Sequence, residues 1–302
     1  MLPGWKKYFD PKILADLSGL GLRRSQIFDG GPLAGAHHSP RHGHSVEFAD
    51  HRPYVPGDDV RSVDWKIFAR TDRYFLRNRE DETTLICYLL VDASGSMDFA
   101  AIDAASGATT KFDYACQAAA ALGFITLDNQ DRCSLRLLGG TGYDLPIAGG
   151  APQLEALAEA LSRSRPGGDT RIGAAVRQVL PQLDRPGVVV LVSDLLDEPE
   201  SIDTAVAQLR AAGHDLLVLQ VLAPEERGLT LAGTTRFEGA EGEPAIELQV
   251  EAFAQAYQQA LYAFTDQLVQ CCQRHGSHFL GLTVGEPLGK RLAAALHQYY
   301  GG

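Results

Sequence analysis

Residues 91–97, VDASGSM, place one carboxylate and two hydroxyls, Asp92, Ser94 and Ser96, at alternate positions just where an apolar run stops. Such a set serves a polar turn, a phosphoryl-transfer nucleophile, or the oxygen ligands of a hard metal ion. The small residues Ala93 and Gly95 let the loop fold back so that alternate side chains converge. Oxygen-only donors in a tight loop suit Mg²⁺, which takes six oxygens at roughly 2.0–2.1 Å and usually keeps some waters. A phosphoryl-transfer aspartate needs a second carboxylate two residues on to handle the leaving group, and Ser94 stands there instead. Three ligands from one loop do not complete a site, so further groups must come from neighbouring strand ends. Asp194 follows the apolar run GVVVLVS, and Thr170 lies in PGGDTRIG just before a helical pattern, where glycines permit close backbone approach. The bland alternative is that the serines cap a turn and Asp194 caps the next helix.

The elements that must bring these residues together are legible from periodicity. Apolar runs of strand length occupy Leu85–Val91, Cys133–Leu138, Gly187–Ser193, Asp215–Leu222 and His278–Val284. Between them, three- and four-residue spacing of apolar positions predicts helices over about 112–128, 152–163, 172–183, 201–212, 250–275 and 287–299. Near-continuous apolar strands alternating with helices describe an α/β fold, a three-layer, doubly wound, mostly parallel sheet covered on both faces. The short run Tyr143–Ile147 after the turn GGTG implies one antiparallel edge strand, and a second hairpin is expected within about 229–249. Residues 1–80, rich in Gly, Pro, Arg and His, read as an irregular, β-rich amino-terminal segment packed on a main domain of 81–302. In open α/β sheets the functional crevice lies beyond the carboxyl ends of the strands, where DASGSM sits.

Composition narrows the function classes. The 302 residues are 45% hydrophobic, enough for a sizeable core. The 27 Lys and Arg against 38 Asp and Glu give a formal charge of -11, which argues against long-range attraction to nucleic acid or anionic lipid. No apolar stretch approaches the roughly 20 residues of a membrane span and MLPGWKKYFDPK lacks an apolar signal centre, so a cytoplasmic protein is expected. Five cysteines without C-x-x-C spacing read as reduced core thiols. Five histidines between 37 and 51 lie in a Gly- and Pro-rich stretch without helical spacing and read as a polar loop, not a zinc site. GEPLGK at 285–290 is one residue short of a phosphate-binding loop and carries Arg291 where a hydroxyl belongs, so it reads as a strand-to-helix turn.

The series D-x-S-x-S at 92–96, Thr170 and Asp194 in a βαβ chain resembles the metal-ion-dependent adhesion site (MIDAS) of von Willebrand factor A domains. That resemblance implies metal residues Asp92, Ser94, Ser96, Thr170 and Asp194, a Mg²⁺ ion (Mn²⁺ or Ca²⁺ being possible), and an acidic side chain of a partner completing the octahedron. Two carboxylates against a divalent cation leave the site near neutral, so an incoming Glu or Asp meets little repulsion.

Upstream, S-V-E-F and R-x-Y-x-P-G-D-D-x-R-x-x-D-W-K-x-x-A-R within residues 44–83, with KFDYACQAAAALGF and SDLLDEPE, resemble the bacterial domain-of-unknown-function fifty-eight family. The resemblance implies a MoxR-type AAA+ ATPase, or its client, as partner, and a chaperone-like role in assembling or maturing protein complexes. Asp58, Asp59 and Asp64 interleaved with Arg52, Arg61 and Arg70 serve either as ion pairs fastening the segment or as a docking surface. Asp58, Asp59, Arg61, Asp64, Trp65 and Arg171 are the candidate partner-binding residues. The reading is a non-enzymatic, metal-dependent adaptor. The alternatives are a hydrolase using the same ion, with Asp169, Asp197 or Glu198 as base, and a scaffold with a vestigial site.

Overall fold

The computed structural model describes residues 7–23, 51–53, 68, 70, 73–77, 84–101, 109–169, 171–228, 233–237 and 246–300. They fall into two compact units, residues 1–28 with 85–302, and residues 29–84. The smaller unit contains a short antiparallel pair, β1 (His51–Pro53) and β2 (Phe75–Arg77), with His51 opposite Arg77. The rings of Phe68 and Tyr74 stack there with centroids 4.5 Å apart.

The segment taken as one piece over 1–80 therefore divides, its first part belonging with the sheet. Tyr8, Phe9, Leu17 and Leu22 are buried in that unit's core around a short helix, α1 (Pro11–Asp16). Sequence periodicity misses this helix because it is under two turns long. Its start is still written locally, since Asp10 accepts from the Lys12 N–H at 2.8 Å and Pro11 occupies the first helical position.

The large unit is built on a six-stranded sheet of β3 (Ile86–Asp92), β4 (Arg132–Leu138), β5 (Leu145–Gly149), β6 (Val188–Ser193), β7 (Asp215–Leu222) and β10 (His278–Thr283), ordered β10-β7-β6-β3-β4-β5. All neighbours are parallel except the edge strand β5, which runs antiparallel to β4. That edge strand lies two residues downstream of the expected 143–147. The inserted hairpin is β8 (Thr234–Phe237) with β9 (Ile246–Gln249).

Alternation within the buried strands splits the core in two. Cys87, Leu89, Val91, Val188, Val190 and Val192 face one cluster, with α1, α2 (Lys111–Asp128), α3 (Gly150–Arg163) and α8 (Leu288–Tyr300). Ile86, Tyr88, Leu90, Val189 and Leu191 face the other, with α4 (Ile172–Val179), α5 (Pro199–Ala211) and α7 (Val250–Arg274). Both faces are covered, which is why these strands read as unbroken apolar runs. Helix α2 is buried nearly all round, and its run of alanines lets it lie close against the sheet. The helix expected over 172–183 ends at Val179 and continues only as a 3-10 turn, Leu180–Gln182. Pro181 contributes, since it carries no N–H to continue the α-helical ladder, although Leu180 before it keeps right-handed α dihedrals.

At the foot of α5 the buried Arg210 guanidinium donates to the His275 carbonyl at 2.9 Å, the His214 carbonyl at 2.8 Å and the Asp215 carboxylate at 2.5 Å. A lysine keeps the charge but not the fork. Arg210→Lys is expected to cost about 1–3 kcal/mol in urea unfolding, because buried carbonyls lose their donors.

Candidate metal centre

Strand β3 pairs with β4 on one side and β6 on the other, so the crevice between the carboxyl ends of β3 and β6 is the topological switch point of the sheet. Asp92 closes β3 and Asp194 follows β6, which brings the two carboxylates to that crevice from residues 102 apart in sequence. Asp92 is 1% exposed and both its oxygens are engaged. One accepts from the Ser94 N–H at 2.9 Å, the other from the Ser193 hydroxyl at 2.6 Å. Ser193 Oγ in turn accepts from the Leu195 N–H at 2.9 Å, which ties the ends of β3 and β6 together.

The hydroxyls of Ser94 and Ser96 lie 3.1 Å apart, so the alternation read from DASGS does converge. The chain then turns through a short 3-10 helix, Gly95–Asp98. Glycine turns hold this loop from outside. Ala93 N–H donates to the Leu138 carbonyl at 2.9 Å, Gly95 N–H to Gly168 at 2.7 Å, and Gly167 N–H returns to Ala93 at 2.9 Å. Gly140, at φ +61°, sits so close that a Cβ would stand 2.5 Å from the Arg165 carbonyl and 2.6 Å from that of Ala93. Gly140→Ala is therefore expected to lower stability by about 2 kcal/mol in denaturant titrations and to push the DASGS loop out of register.

Asp194 has a partner that the spacing of oxygen ligands does not announce. Lys111, 1% exposed at the first position of α2, donates to Asp194 Oδ2 at 2.8 Å and to Glu226 Oε1 at 2.6 Å. Glu226 is held in turn by the Ala223 N–H at 2.7 Å, within a short helix, α6 (Pro224–Gly228), after β7. Asp194 also accepts from the Leu196 N–H at 3.3 Å. Between them Leu195, fully buried, has a left-handed backbone at φ +57°, a conformation that costs a β-carbon residue on the order of 1 kcal/mol and re-aims the chain at this point.

Charge in the crevice is finely set. Burial, together with the nearby Asp194 charge, pushes the Asp92 carboxyl up to about 6, against the opposing hydrogen bonds from Ser193 and Ser94. Burial alone would lower the Lys111 ammonium, but Asp194 and Glu226 outweigh it and hold it above the ordinary lysine range. Asp92, Asp194 and Glu226 against Lys111 leave three negative charges and one positive, a net of two negative charges. The oxygen donors and this net charge fit a small divalent cation, so Asp92, Ser94, Ser96 and Asp194 could hold Mg²⁺.

Of the residues singled out from the sequence, Asp92, Ser94, Ser96 and Asp194 belong to the two strand-end loops at this crevice. Thr170 lies outside the described residues, as do Asp58, Asp59, Arg61, Asp64 and Trp65. Arg171 is exposed and faces Glu198 at 3.6 Å and Asp197 at 4.0 Å. Asp197 accepts from the Glu198 N–H at 2.8 Å and more distantly from the Gly173 N–H at 3.4 Å, while Asp169 and Glu198 are exposed.

Lys111, Glu226 and Ser193 escaped sequence reasoning. One signal for Lys111 was available, because a cation at the amino end of a helix opposes the macrodipole and needs a compensating anion. Glu226 and Ser193 carry no comparable local mark.

Among curated proteins, the chain is 29% identical over 247 residues to the uncharacterized proteins Rv1480 of Mycobacterium tuberculosis and Mb1516 of Mycobacterium bovis, covering 80% of this chain and 75% of each relative. Among solved structures, BatB of Bacteroides thetaiotaomicron aligns with a TM-score of 0.44 at 16% identity, over 72% of this chain and 100% of that one. The SpRpn10 VWA domain aligns at 0.41 and 10% identity, over 69% and 93%. Residues 50–265 match the family described as protein of unknown function DUF58, which includes the strand ends carrying Asp92 and Asp194, and the chain belongs to that family.

Proposed function

We propose that this chain is a non-enzymatic, metal-dependent adaptor that holds Mg²⁺ at the β3–β6 crevice and grips an acidic side chain of a partner protein through the ion. The observation that carries this reading is the gathering of Asp92, Ser94 and Ser96 with Asp194 at the sheet's switch point, in a pocket carrying two net negative charges. A divalent cation neutralises that pocket and still has coordination positions to offer. Two large apolar side chains stand exposed on the same pair of loops, Phe99 at 38% and Leu196 at 53%. An ion flanked by exposed apolar groups suits a protein surface better than a small substrate, since aromatic and aliphatic anchors supply most interface energy.

Hydrolysis is the weaker reading, because the candidate base Asp197 has a side chain only 6% exposed that already accepts from neighbouring backbone N–H groups. The partner we propose is a MoxR-type AAA+ ATPase or its client in the cytoplasm, with the energy for assembly or maturation supplied by that ATPase. Among the described residues no helix is long and apolar enough to cross a membrane.

The test is capture of a MoxR-type ATPase by the full chain with and without chelator, repeated with Ser94→Ala and Asp194→Ala. Loss of the same protein under all three perturbations supports the reading. Capture that survives all three moves the interaction away from the ion, and turnover of a phosphoester that is abolished in Asp92→Ala overturns the non-enzymatic assignment.

A further inference from the structure

Away from the crevice, on the layer formed by α5 and α7, three side chains of different ligand chemistry meet. Asp203 lies on α5, Cys271 on the last turn of α7, and His275 caps that helix. Their donor atoms, a carboxylate oxygen, a thiol sulfur and a ring nitrogen, all lie within 4.8 Å of one another. Asp203 Oδ1 and His275 Nε2 are 3.2 Å apart. Ligand atoms around tetrahedral zinc, with bonds of about 2.0–2.3 Å, are separated by roughly 3.3–3.7 Å, so the carboxylate and ring need move apart only slightly to reach that spacing.

The bland account is that Asp203 fastens the two helices through Arg274 at 3.0 Å and His275. It explains the ion pairs but not the thiol. Cys271 is 4% exposed, and its sulfur lies within 4.8 Å of the same carboxylate and of the His275 ring. The carboxylate thus has a soft and a borderline donor beside it.

The cluster is also positioned in advance. Cys271 and His275 are four residues apart, and the His275 N–H donates to the Cys271 carbonyl at 3.2 Å, so the helical turn carries both donors to one face. The His275 carbonyl is pinned from the other side by buried Arg210. Arg274, the cation now on Asp203, is 66% exposed on a long flexible chain and can leave without disturbing the core. Asp203 and His275 are part-exposed, so an ion here would be reached from solvent and keep one open position.

We propose that Asp203, Cys271 and His275 form a second metal site, for a thiophilic divalent ion of the Zn²⁺ class, independent of the Mg²⁺ centre proposed above. Binding releases the Cys271 proton to solvent, because the thiolate is the ligand. Hard ions such as Mg²⁺ do not take a thiolate, which separates the two centres chemically.

Cobalt(II) added to the full chain tests this directly, since cobalt bound by a thiolate shows a near-ultraviolet sulfur-to-metal charge-transfer band that oxygen-only sites lack. The expected result is such a band saturating at one equivalent, displaced by Zn²⁺, retained in Asp92→Ala, and lost in Cys271→Ser. His275→Gln, a part-exposed change that spares the core, is expected to weaken cobalt binding at least tenfold, and Zn²⁺ is expected to raise the unfolding temperature of the wild type by about 5 °C but not that of Cys271→Ser. Absence of the band in the wild type overturns the proposal, as does its persistence in Cys271→Ser or unchanged affinity in His275→Gln.

Discussion

Lys111→Met is expected to unfold about 10 °C below the wild type without divalent ions, and to bind Mg²⁺ about 10- to 100-fold more tightly. The first effect follows from removing one partner of a buried ionic cluster. Asp194 and Glu226 lose the ammonium that stands at 2.8 and 2.6 Å, and stranding buried charge in this way costs about 3–5 kcal/mol. At 2–4 °C per kcal/mol for a domain of this size, the drop in unfolding temperature is on the order of 10 °C. The second effect has the opposite sign. The ammonium and a divalent cation are drawn to the same carboxylates, and taking the former away deepens the negative potential that the latter feels. A unit charge at 4 Å in a medium of effective dielectric 20 is worth about 4 kcal/mol, of which a tenfold to hundredfold affinity gain requires only about 1.4–2.8 kcal/mol. Thermal unfolding across a Mg²⁺ series separates the two, because the variant should recover most of its loss at millimolar Mg²⁺ and reach half of its stabilisation at about 10- to 100-fold less Mg²⁺ than the wild type. Glu226→Gln in the Lys111→Met background should relieve part of the destabilisation by removing one stranded charge. If Mg²⁺ stabilises neither the variant nor the wild type, the crevice does not take the ion.

The second large effect concerns pH and resides in Asp92. Its carboxyl titrates near 6 in the folded protein against about 3.9 in an unfolded chain, so the folded state holds this proton more tightly. The stability it contributes is fully present below about pH 4 and is lost as pH rises through 6, up to about 3 kcal/mol. Without divalent ions the wild type should therefore weaken across that window. Mg²⁺ requires the ionised carboxylate, so its stabilising effect should be absent near pH 5 and fully developed by about pH 7.5. Asp92→Asn removes both behaviours, because the amide carries no charge and keeps an acceptor for the Ser94 N–H. Its metal-free stability should vary less with pH than that of the wild type, and Mg²⁺ should not shift it at any pH. Urea titrations from pH 4 to 8, with and without Mg²⁺, give all four curves. A Mg²⁺ effect of equal size at pH 5 and 7.5, or one that survives in Asp92→Asn, would remove Asp92 from the ion's coordination.

The centre of the sheet was legible because its signals are local. Strands buried on both faces are apolar at nearly every position, so ICYLLV, VVVLVS and DLLVLQVL announce where they lie. A polar residue directly after such a run lies at a carboxyl edge, and that is all that was needed to send Asp92 and Asp194 to one crevice. The doubly wound order follows from the rules of parallel crossovers rather than from any single residue.

What the linear chain could not convey is which charge meets which. Lys111 reaches Asp194 across 83 residues and Glu226 across 115, and nothing near any of the three specifies the others. The same holds for Asp203 with Cys271 and His275, which face each other only because α5 and α7 cover the same side of the sheet. Hydrophobic periodicity decides which face of an element is buried, and it acts residue by residue. Pairing between buried charges depends on where separate elements finally lie, to within an ångström, and only packing the sheet between its two helical layers fixes that.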